Sequence, residues 1–300
     1  MAVKTCAALL VDNAPAKVNL TLRVVGRRAD GYHELESLVA FADVCDGLSF
    51  TPGGELALSV HGPSAAQAGD GADNLVLKAG RALAERVPGL TLGLFALDKR
   101  LPVAAGLGGG SADAGAALRL LARANGLAQD DARLCEAARA TGADVPVCLD
   151  PRPRLMRGIG EILSAPLLLP VLPAVLVNPG VPLSTKAVFA GWTAAAHAVP
   201  FDLAAAANAD SRERLMRLLL LYANDLEPAA SALAPAVGEV LAALRLLADC
   251  RLARMSGSGA TCFALFSSAA AAIAGAEALR DKYPHWWVRA TKLGARAPDA

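Results

Sequence analysis

The sequence predicts an α+β protein. Strand-like and helix-like segments follow one another in mixed order, without the steady alternation that builds a doubly wound parallel sheet. A glycine-rich loop at Gly106 to Gly110 leads straight into an Ala/Leu-rich run of helix-forming residues. Hydrophobic residues are 54% of the 300-residue chain and charged residues 19%, which supports a sizeable core in one large domain or two ordinary ones.

The elements follow in order. Ala16 to Val25 alternates and is partly β-branched, which reads as a strand, and Gly26 to Tyr32 is a charged turn. His33 to Phe41 is extended, and Leu48 to Phe50 and Leu56 to Val60 read as further strands. Asp73 and Asn74 open a helix with apolar residues at Leu75, Val76, Ala79 and Leu83, closed by Pro88 and Gly89. Leu90 to Leu97 alternates toward a strand. The helix behind the glycine loop runs to about Ala124 and ends at Asn125-Gly126, and another runs from about Gln129 to Ala140. Proline density from Pro146 to Pro182 marks a composition change, so a domain boundary is placed near residue 160. Beyond it, Ala174 to Val177 is a short strand and Ser184 to Trp192 a helix. An Ala-rich tract at 194–209 reads as a variable loop. Leu215 to Tyr222, Val237 to Leu247 and Ala269 to Leu279 are helices, Ala253 to Phe266 a turn plus strand, and Trp287 to Ala290 a final strand.

Composition narrows the function. A net charge of +1 argues against a broad nucleic-acid surface. The mean hydropathy of +0.40 invites a membrane reading, but the longest apolar stretch, Ala165 to Val177, is short and broken by Pro166, Pro170 and Pro173. The apolar patch from Cys6 to Val11 meets Asp12 and Asn13 without a signal-peptide layout, so a cytoplasmic protein is expected. The six cysteines form no Cys-x-x-Cys pair, which disfavours zinc or a disulfide framework.

The glycine loop carries the most chemistry. Glycine tolerates positive φ and lets a ligand approach the backbone. A glycine loop feeding a helix presents free N–H groups and the positive end of a dipole, which suits phosphate. A P-loop is excluded because no lysine follows these glycines, the nearest downstream basic residue being Arg119. The dinucleotide fingerprint Gly-x-Gly-x-x-Gly is excluded because position 111 is Ser. The expectation is a nucleotide held by its phosphates on a third kind of loop.

Three separated segments, read together, resemble the GHMP kinase superfamily, which includes galactokinase and homoserine and mevalonate kinases. They are Ala14-Pro-Ala-Lys-Val-Asn-Leu-Thr-Leu22 with Arg28-Ala-Asp-Gly-Tyr-His33; the glycine loop with Gly142-Ala-Asp-Val-Pro146; and Met255-Ser-Gly-Ser-Gly-Ala-Thr261. The opening segment, Tyr32-His33 and Gly142 to Pro146 together resemble the branch that acts on a cytidine-diphosphate-linked methylerythritol. The resemblance implies a two-domain fold. Residues 1–160 form an ATP-binding domain like the second domain of ribosomal protein S5. Residues 161–300 form a ferredoxin-like α/β domain, with the last strand free to return to the first. It implies ATP and Mg²⁺ as cofactors, a small-molecule partner, and a monomer or weak homodimer.

The resemblance also implies site residues. Pro102, Val103, Ala104, Ala105, Gly106, Leu107, Gly108, Gly109, Gly110, Ser111 and Ala112 hold the phosphates, with the Ser111 hydroxyl near phosphate or Mg²⁺. Asp144 matches the general base. Lys17 matches the catalytic lysine, and in an apolar strand its charge needs a partner, so a Lys17–Asp144 pair is expected. Asn19, two residues on, shares a strand face with Lys17 and is expected near substrate hydroxyls. Tyr32 and His33 match the residues that hold the cytosine, and Thr185 and Phe189 align with a second wall of that pocket. Lys186 stands where a proline commonly follows that threonine. The Ser256 to Ala260 turn is expected to pack under the phosphate loop. Asp98, Lys99 and Arg100 either flank the adenine or ribose or form a solvated cluster. Arg152, Arg154 and Arg157 either approach the substrate diphosphate or face solvent. Asn224-Asp225-Leu226-Glu227 reads as a helix start with an acidic first turn. No carboxylate set is assigned to metal. The rival readings are another GHMP kinase, of homoserine or mevalonate type, and a catalytically silent nucleotide or sugar sensor.

Overall fold

The computed structural model describes residues 8–194 and 211–294. In chain order, the strands and helices begin with β1 (Leu10–Asn19), β2 (Arg23–Arg27), β3 (His33–Pro52), β4 (Ala57–His61), α1 (Ala65–Ala68), α2 (Leu75–Ala84) and β5 (Gly93–Asp98). Next come α3 (Gly109–Ala124), α4 (Ala132–Thr141), α5 (Val145–Leu149), β6 (Arg154–Gly158), β7 (Ile162–Leu163), β8 (Leu172–Asn178) and α6 (Thr185–Gly191). The rest are α7 (Arg212–Leu221), α8 (Glu227–Leu233), α9 (Pro235–Arg245), β9 (Cys250–Met255), β10 (Cys262–Phe266), α10 (Ala269–Lys282) and β11 (Trp287–Gly294). The chain divides into two compact units, each assembled from separated segments. One comprises Met1–Pro15, Cys45–Val103 and Gly109–Asp150; the other comprises Ala16–Val44, Ala104–Gly108 and Pro151–Ala300.

In the first unit, the later half of β3 pairs antiparallel with β5, from Gly47 opposite Asp98 to Pro52 opposite Gly93, and β4 lies parallel to β5. Asn74 starts α2 as expected, its side chain accepting from the Val76 N–H at 3.0 Å, and Val76, Leu77, Ala79 and Leu83 are buried. Helix α3 buries a run of alanines and leucines from Ala112 to Ala122. Small side chains let α5 come close: a Cβ on Gly115 would lie 2.5 Å from the Cys148 carbonyl oxygen. Asp131 caps α4, which explains why that helix begins at Ala132 rather than near Gln129. Arg119 is structural, tying Asp12 Oδ2 and the carbonyls of Asn13 and Cys148 at 2.8 Å each.

In the second unit, β8 is buried along its whole length, the continuous apolar pattern of a strand covered on both faces. It pairs antiparallel with β10 and β11, and β10 pairs with β9. Helices α9 and α10 cover this sheet with Val237, Val240, Leu241, Leu244, Ala276 and Leu279. Truncating a fully buried leucine such as Leu244 to alanine costs about 2–5 kcal/mol. The early half of β3 pairs antiparallel with β2 and β6.

Three strand expectations change. Ala253 to Phe266 is the end of β9, a turn and then β10, two paired strands rather than one. Ala16 to Val25 is two strands with a break at residues 20–22, because Leu22 leaves the ladder to pair with Asn224. His33 to Phe41 and Leu48 to Phe50 are parts of one strand, β3, 20 residues long. Of the Ala-rich tract at 194–209, all but residue 194 lies outside the described residues.

Candidate active site

Gly106 and Gly108 take positive φ, +73° and +60°, and α3 begins at Gly109. The loop therefore turns sharply and ends on a helix N-terminus, whose N–H groups lack intrahelical acceptors. Within the second unit, three bonds fix the middle of the loop. Ser256 Oγ donates to Gly106 O at 2.9 Å, Thr261 N–H to Ala105 O at 3.1 Å, and Lys17 N–H to Leu107 O at 2.9 Å. Gly106 is a glycine for space as well as for φ, since a Cβ there would lie 2.4 Å from Ser256 O. The Ser256 to Ala260 turn therefore packs directly against the loop.

Lys17 is only 4% exposed on β1, and a Cβ on Gly108 would sit 3.2 Å from its Cε. The stem of Lys17 thus runs along the glycine loop. Asn19, also buried, donates from Nδ2 to Ser37 Oγ at 2.8 Å, and its backbone N–H donates to Ser256 Oγ at 3.1 Å. Its Oδ1 is buried with no hydrogen-bond partner. A buried acceptor left unmade is costly, so Asn19 Oδ1 has the capacity to accept one further hydrogen bond.

His33 stacks on Phe189 with ring centroids 5.0 Å apart and planes at 28°, and Trp192 meets its edge at 5.5 Å. Burial, then the Arg27 charge, hold the His33 imidazole below its ordinary value, which keeps it neutral at pH 7 with one nitrogen donating and one accepting. Thr185 opens α6 after the Ser184 cap, and its hydroxyl lies 2.8 Å from Ser258 Oγ. Tyr32 is 61% exposed in the β2–β3 turn, so the structure brings His33 and Phe189 together but leaves Tyr32 outside the stack. Lys186 is exposed. Arg154 donates to Ser164 O at 2.7 Å, and Arg157 lies 3.6 Å from Glu36.

In the first unit, Asp144 precedes α5 at the N-cap position, yet its side chain makes no capping hydrogen bond. Pro146 sits within the first turn of that helix, where its missing N–H costs nothing.

Sequence reasoning missed two groups. Lys99 is not solvated: it is 3% exposed, with Nζ 2.6 Å from both Asp46 Oδ2 and Asp113 Oδ2. Asp46 Oδ1 accepts from the N–H groups of Arg100 and Leu101, which lead into the loop. Burial opposes the Lys99 charge, but the Asp113 and Asp46 carboxylates outweigh it and hold Lys99 above its ordinary value. Asp113 is pushed up to about 7, by burial first and by the like charge of Asp46, against the pull of Lys99. The local signal was ambiguous because both carboxylates are distant in sequence. The second group is Asn224 to Glu227, whose side chains reach the Met255–Gly257 backbone. Nothing local in the sequence distinguishes it from a helix start. Among the described residues no group of three or more His, Cys, Asp or Glu is placed to hold a metal, and no helix is long and apolar enough to cross a membrane.

Comparison with known proteins fits this arrangement. The family model for the GHMP kinases N terminal domain matches residues 74–150, and that for GHMP kinases C terminal matches residues 203–285. The chain is 60% identical to the 4-diphosphocytidyl-2-C-methyl-D-erythritol kinase of Rhodopseudomonas palustris, over 96% of this chain and 98% of that one. It is 58% identical to the kinase of the same name from Methylobacterium radiotolerans, over 95% and 99% of the two chains. A crystal structure of 4-(cytidine 5'-diphospho)-2C-methyl-D-erythritol kinase superposes with a TM-score of 0.78 at 36% identity, covering 96% of this chain and all of that one. The homoserine kinase of Cytophaga hutchinsonii, at 19% identity and a TM-score of 0.71 over 98% and 97% of the two chains, shares the fold. The chain belongs to the GHMP kinases and, within them, to the 4-diphosphocytidyl-2-C-methyl-D-erythritol kinases.

Proposed function

We propose that this enzyme transfers the γ-phosphoryl group of ATP to the 2-hydroxyl of 4-diphosphocytidyl-2-C-methyl-D-erythritol, giving the 2-phosphate and ADP for isoprenoid precursor synthesis. The choice of a base-bearing acceptor rests on one observation: the stack of His33 on Phe189 with Trp192 at its edge. Homoserine and mevalonate carry no base for such a wall to read. A neutral imidazole supplies one donor and one acceptor to a pyrimidine edge; Thr185, on the helix that carries Phe189, and Tyr32, exposed in the turn before His33, extend that wall toward the base.

Phosphoryl transfer requires the acceptor oxygen and the γ-phosphorus in line, with the spreading charge neutralised. The loop from Pro102 to Ala112 suits the phosphates, since its glycines take positive φ and the first-turn N–H groups of α3 lack intrahelical acceptors. Asn19 Oδ1 accepts from a substrate hydroxyl and orients it. Asp144 takes the proton of the 2-hydroxyl as its oxygen bonds to phosphorus and the bond to the ADP oxygen breaks. Lys17, lying along the loop, places positive charge near the transferring group. ATP chemistry generally takes Mg²⁺. The chain offers no carboxylate cage for it among the described residues, so phosphate oxygens, water and the Ser111 hydroxyl would hold the ion. We place the enzyme in the cytoplasm, as a monomer or weak homodimer acting on this small molecule.

A coupled assay of ADP release tests the reading with three acceptors: the cytidine substrate, mevalonate and homoserine. Turnover with the cytidine substrate alone is expected. Turnover with mevalonate or homoserine but not with the cytidine compound would overturn the substrate, and none with any would favour a sensor.

A further inference from the structure

Asn224, Asp225 and Glu227 have no part in the chemistry above, yet they touch two of its supports within the second unit. On one side is the break between β1 and β2, just past Asn19. Leu22 N–H donates to Ala223 O at 3.0 Å, Asp225 N–H donates to Leu22 O at 2.9 Å, and Val24 N–H donates to Asp225 Oδ2 at 2.8 Å. On the other side is the Met255–Gly257 backbone, where the turn against the phosphate loop begins. Asn224 Nδ2 donates to Met255 O and Gly257 O at 2.8 Å each, and Met255 N–H donates to Glu227 Oε2 at 3.0 Å. Asn224 Oδ1 accepts from Leu226 N–H at 3.0 Å, so both ends of its amide are engaged. Asn224 itself is 2% exposed.

We propose that Asn224, Asp225 and Glu227 form a positioning clamp that locks the Asn19-bearing strand to the Ser256–Gly259 turn, and so sets the substrate strand against the phosphate loop. The chemistry favours this over plain packing. An amide donating twice to backbone carbonyls fixes a direction as well as a distance, and a buried carbonyl such as Met255 O finds no substitute for a lost donor. Arg254 reinforces the same join. Its buried guanidinium donates to Leu20 O at 2.5 Å and Leu219 O at 2.9 Å, and also to Tyr222 O. The strand break is thus imposed from the far side of the sequence. Asn19 N–H to Ser256 Oγ, and Ser256 Oγ to Gly106 O, continue the line from the clamp into the loop.

The inference rests on the kinase reading for its kinetic consequence, but its structural core is testable alone. In the full chain, hydrogen exchange is measured on peptides spanning residues 16–25 and 253–262, for the parent, Asn224→Ala, Asp225→Ala and Asp225→Asn. Asp225 bonds the strand side, so a rise of about tenfold in exchange at the Ser256–Gly259 turn in Asp225→Ala would reveal the coupling. Asp225→Asn keeps an acceptor for Val24 N–H and is expected to restore protection. Exchange at the turn unchanged in Asp225→Ala, or equally raised in both Asp225 variants, would overturn the clamp. Kinetics are read in parallel at a temperature where every variant is folded. A drop of about tenfold or more in kcat, with KM for ATP within threefold and rescue by Asp225→Asn, is expected. Unaltered kcat in an active parent would overturn the positioning role. Failure of the parent itself to turn over the cytidine substrate would instead overturn the kinase reading and leave the exchange result to decide the clamp. If Asn224→Ala does not fold, the Asp225 pair carries the test.

Discussion

The two stretches that secure the phosphate loop are held by different means. In the first unit, Lys99 before the loop and Asp113 after it are joined by charge, with Asp46 as the third member. In the second unit, Ala105, Gly106 and Leu107 are held by neutral hydrogen bonds from Thr261, Ser256 and the Lys17 backbone. A desolvated charge cluster is rigid only while every partner is present, because a widowed charge in a buried site is very costly. A neutral network loses less when one member goes and does not respond to pH. The difference teaches that the loop's resistance to unfolding and its response to pH reside in the first unit, while its fine geometry is set in the second.

The largest expected effect touches neither anchor. Asp144→Asn removes the proposed base and lowers kcat by about 10²–10⁴-fold, while ATP affinity, measured by calorimetry, stays within a few fold. A flank variant that cost more in kcat would make the anchoring, not the base, the dominant feature. Next comes stability. Lys99→Met leaves two buried carboxylates facing each other and should lower unfolding free energy by about 3–5 kcal/mol in urea titration. Asn224→Ala should cost about 1–3 kcal/mol, since two carbonyls lose their donor. The reverse order would break the comparison. A smaller, kinetic effect is expected at the aromatic wall. His33→Ala should raise KM for the cytidine substrate about tenfold, because base stacking is worth about 1–3 kcal/mol, and kcat should stay within threefold.

A last effect sharpens the contrast through pH. Asp113 is held at about 7 in the folded chain against an ordinary 3.8. A carboxyl raised by folding contributes stability that is complete below about 4 and lost as pH rises through about 7. The parent melting temperature should therefore carry a downward component across that window. Asp113→Asn should flatten it, whereas Asn224→Ala should leave the slope as in the parent. An unchanged slope in Asp113→Asn would remove the charge cluster from the account.

What was legible in the sequence was local. The Asn74 cap, the glycine loop, the alanine-rich α3 and the Asn125-Gly126 stop each carry their cause within a few residues, and the structure places them close to expectation. The break at residues 20–22 was not legible, because Asn224, Asp225 and Arg254 impose it from more than two hundred residues away. Lys99 sits between Asp98 and Arg100, a neighbourhood that suggests solvent, and its burial depends on Asp46 and Asp113 from other elements. The site residues were named through motifs that work as a set. Tyr32 illustrates the limit, since a motif gives its position in the chain but not its exposure, which is 61%.

The central claim concerns which oxygen receives the phosphoryl group. Phosphorus NMR of the reaction of this enzyme with ATP, Mg²⁺ and 4-diphosphocytidyl-2-C-methyl-D-erythritol reads it directly. The account predicts one new phosphomonoester resonance at the 2-position, in step with ADP formation, with the cytidine diphosphate signals retained. ATP consumed without that resonance, or a monoester on another oxygen, would contradict it.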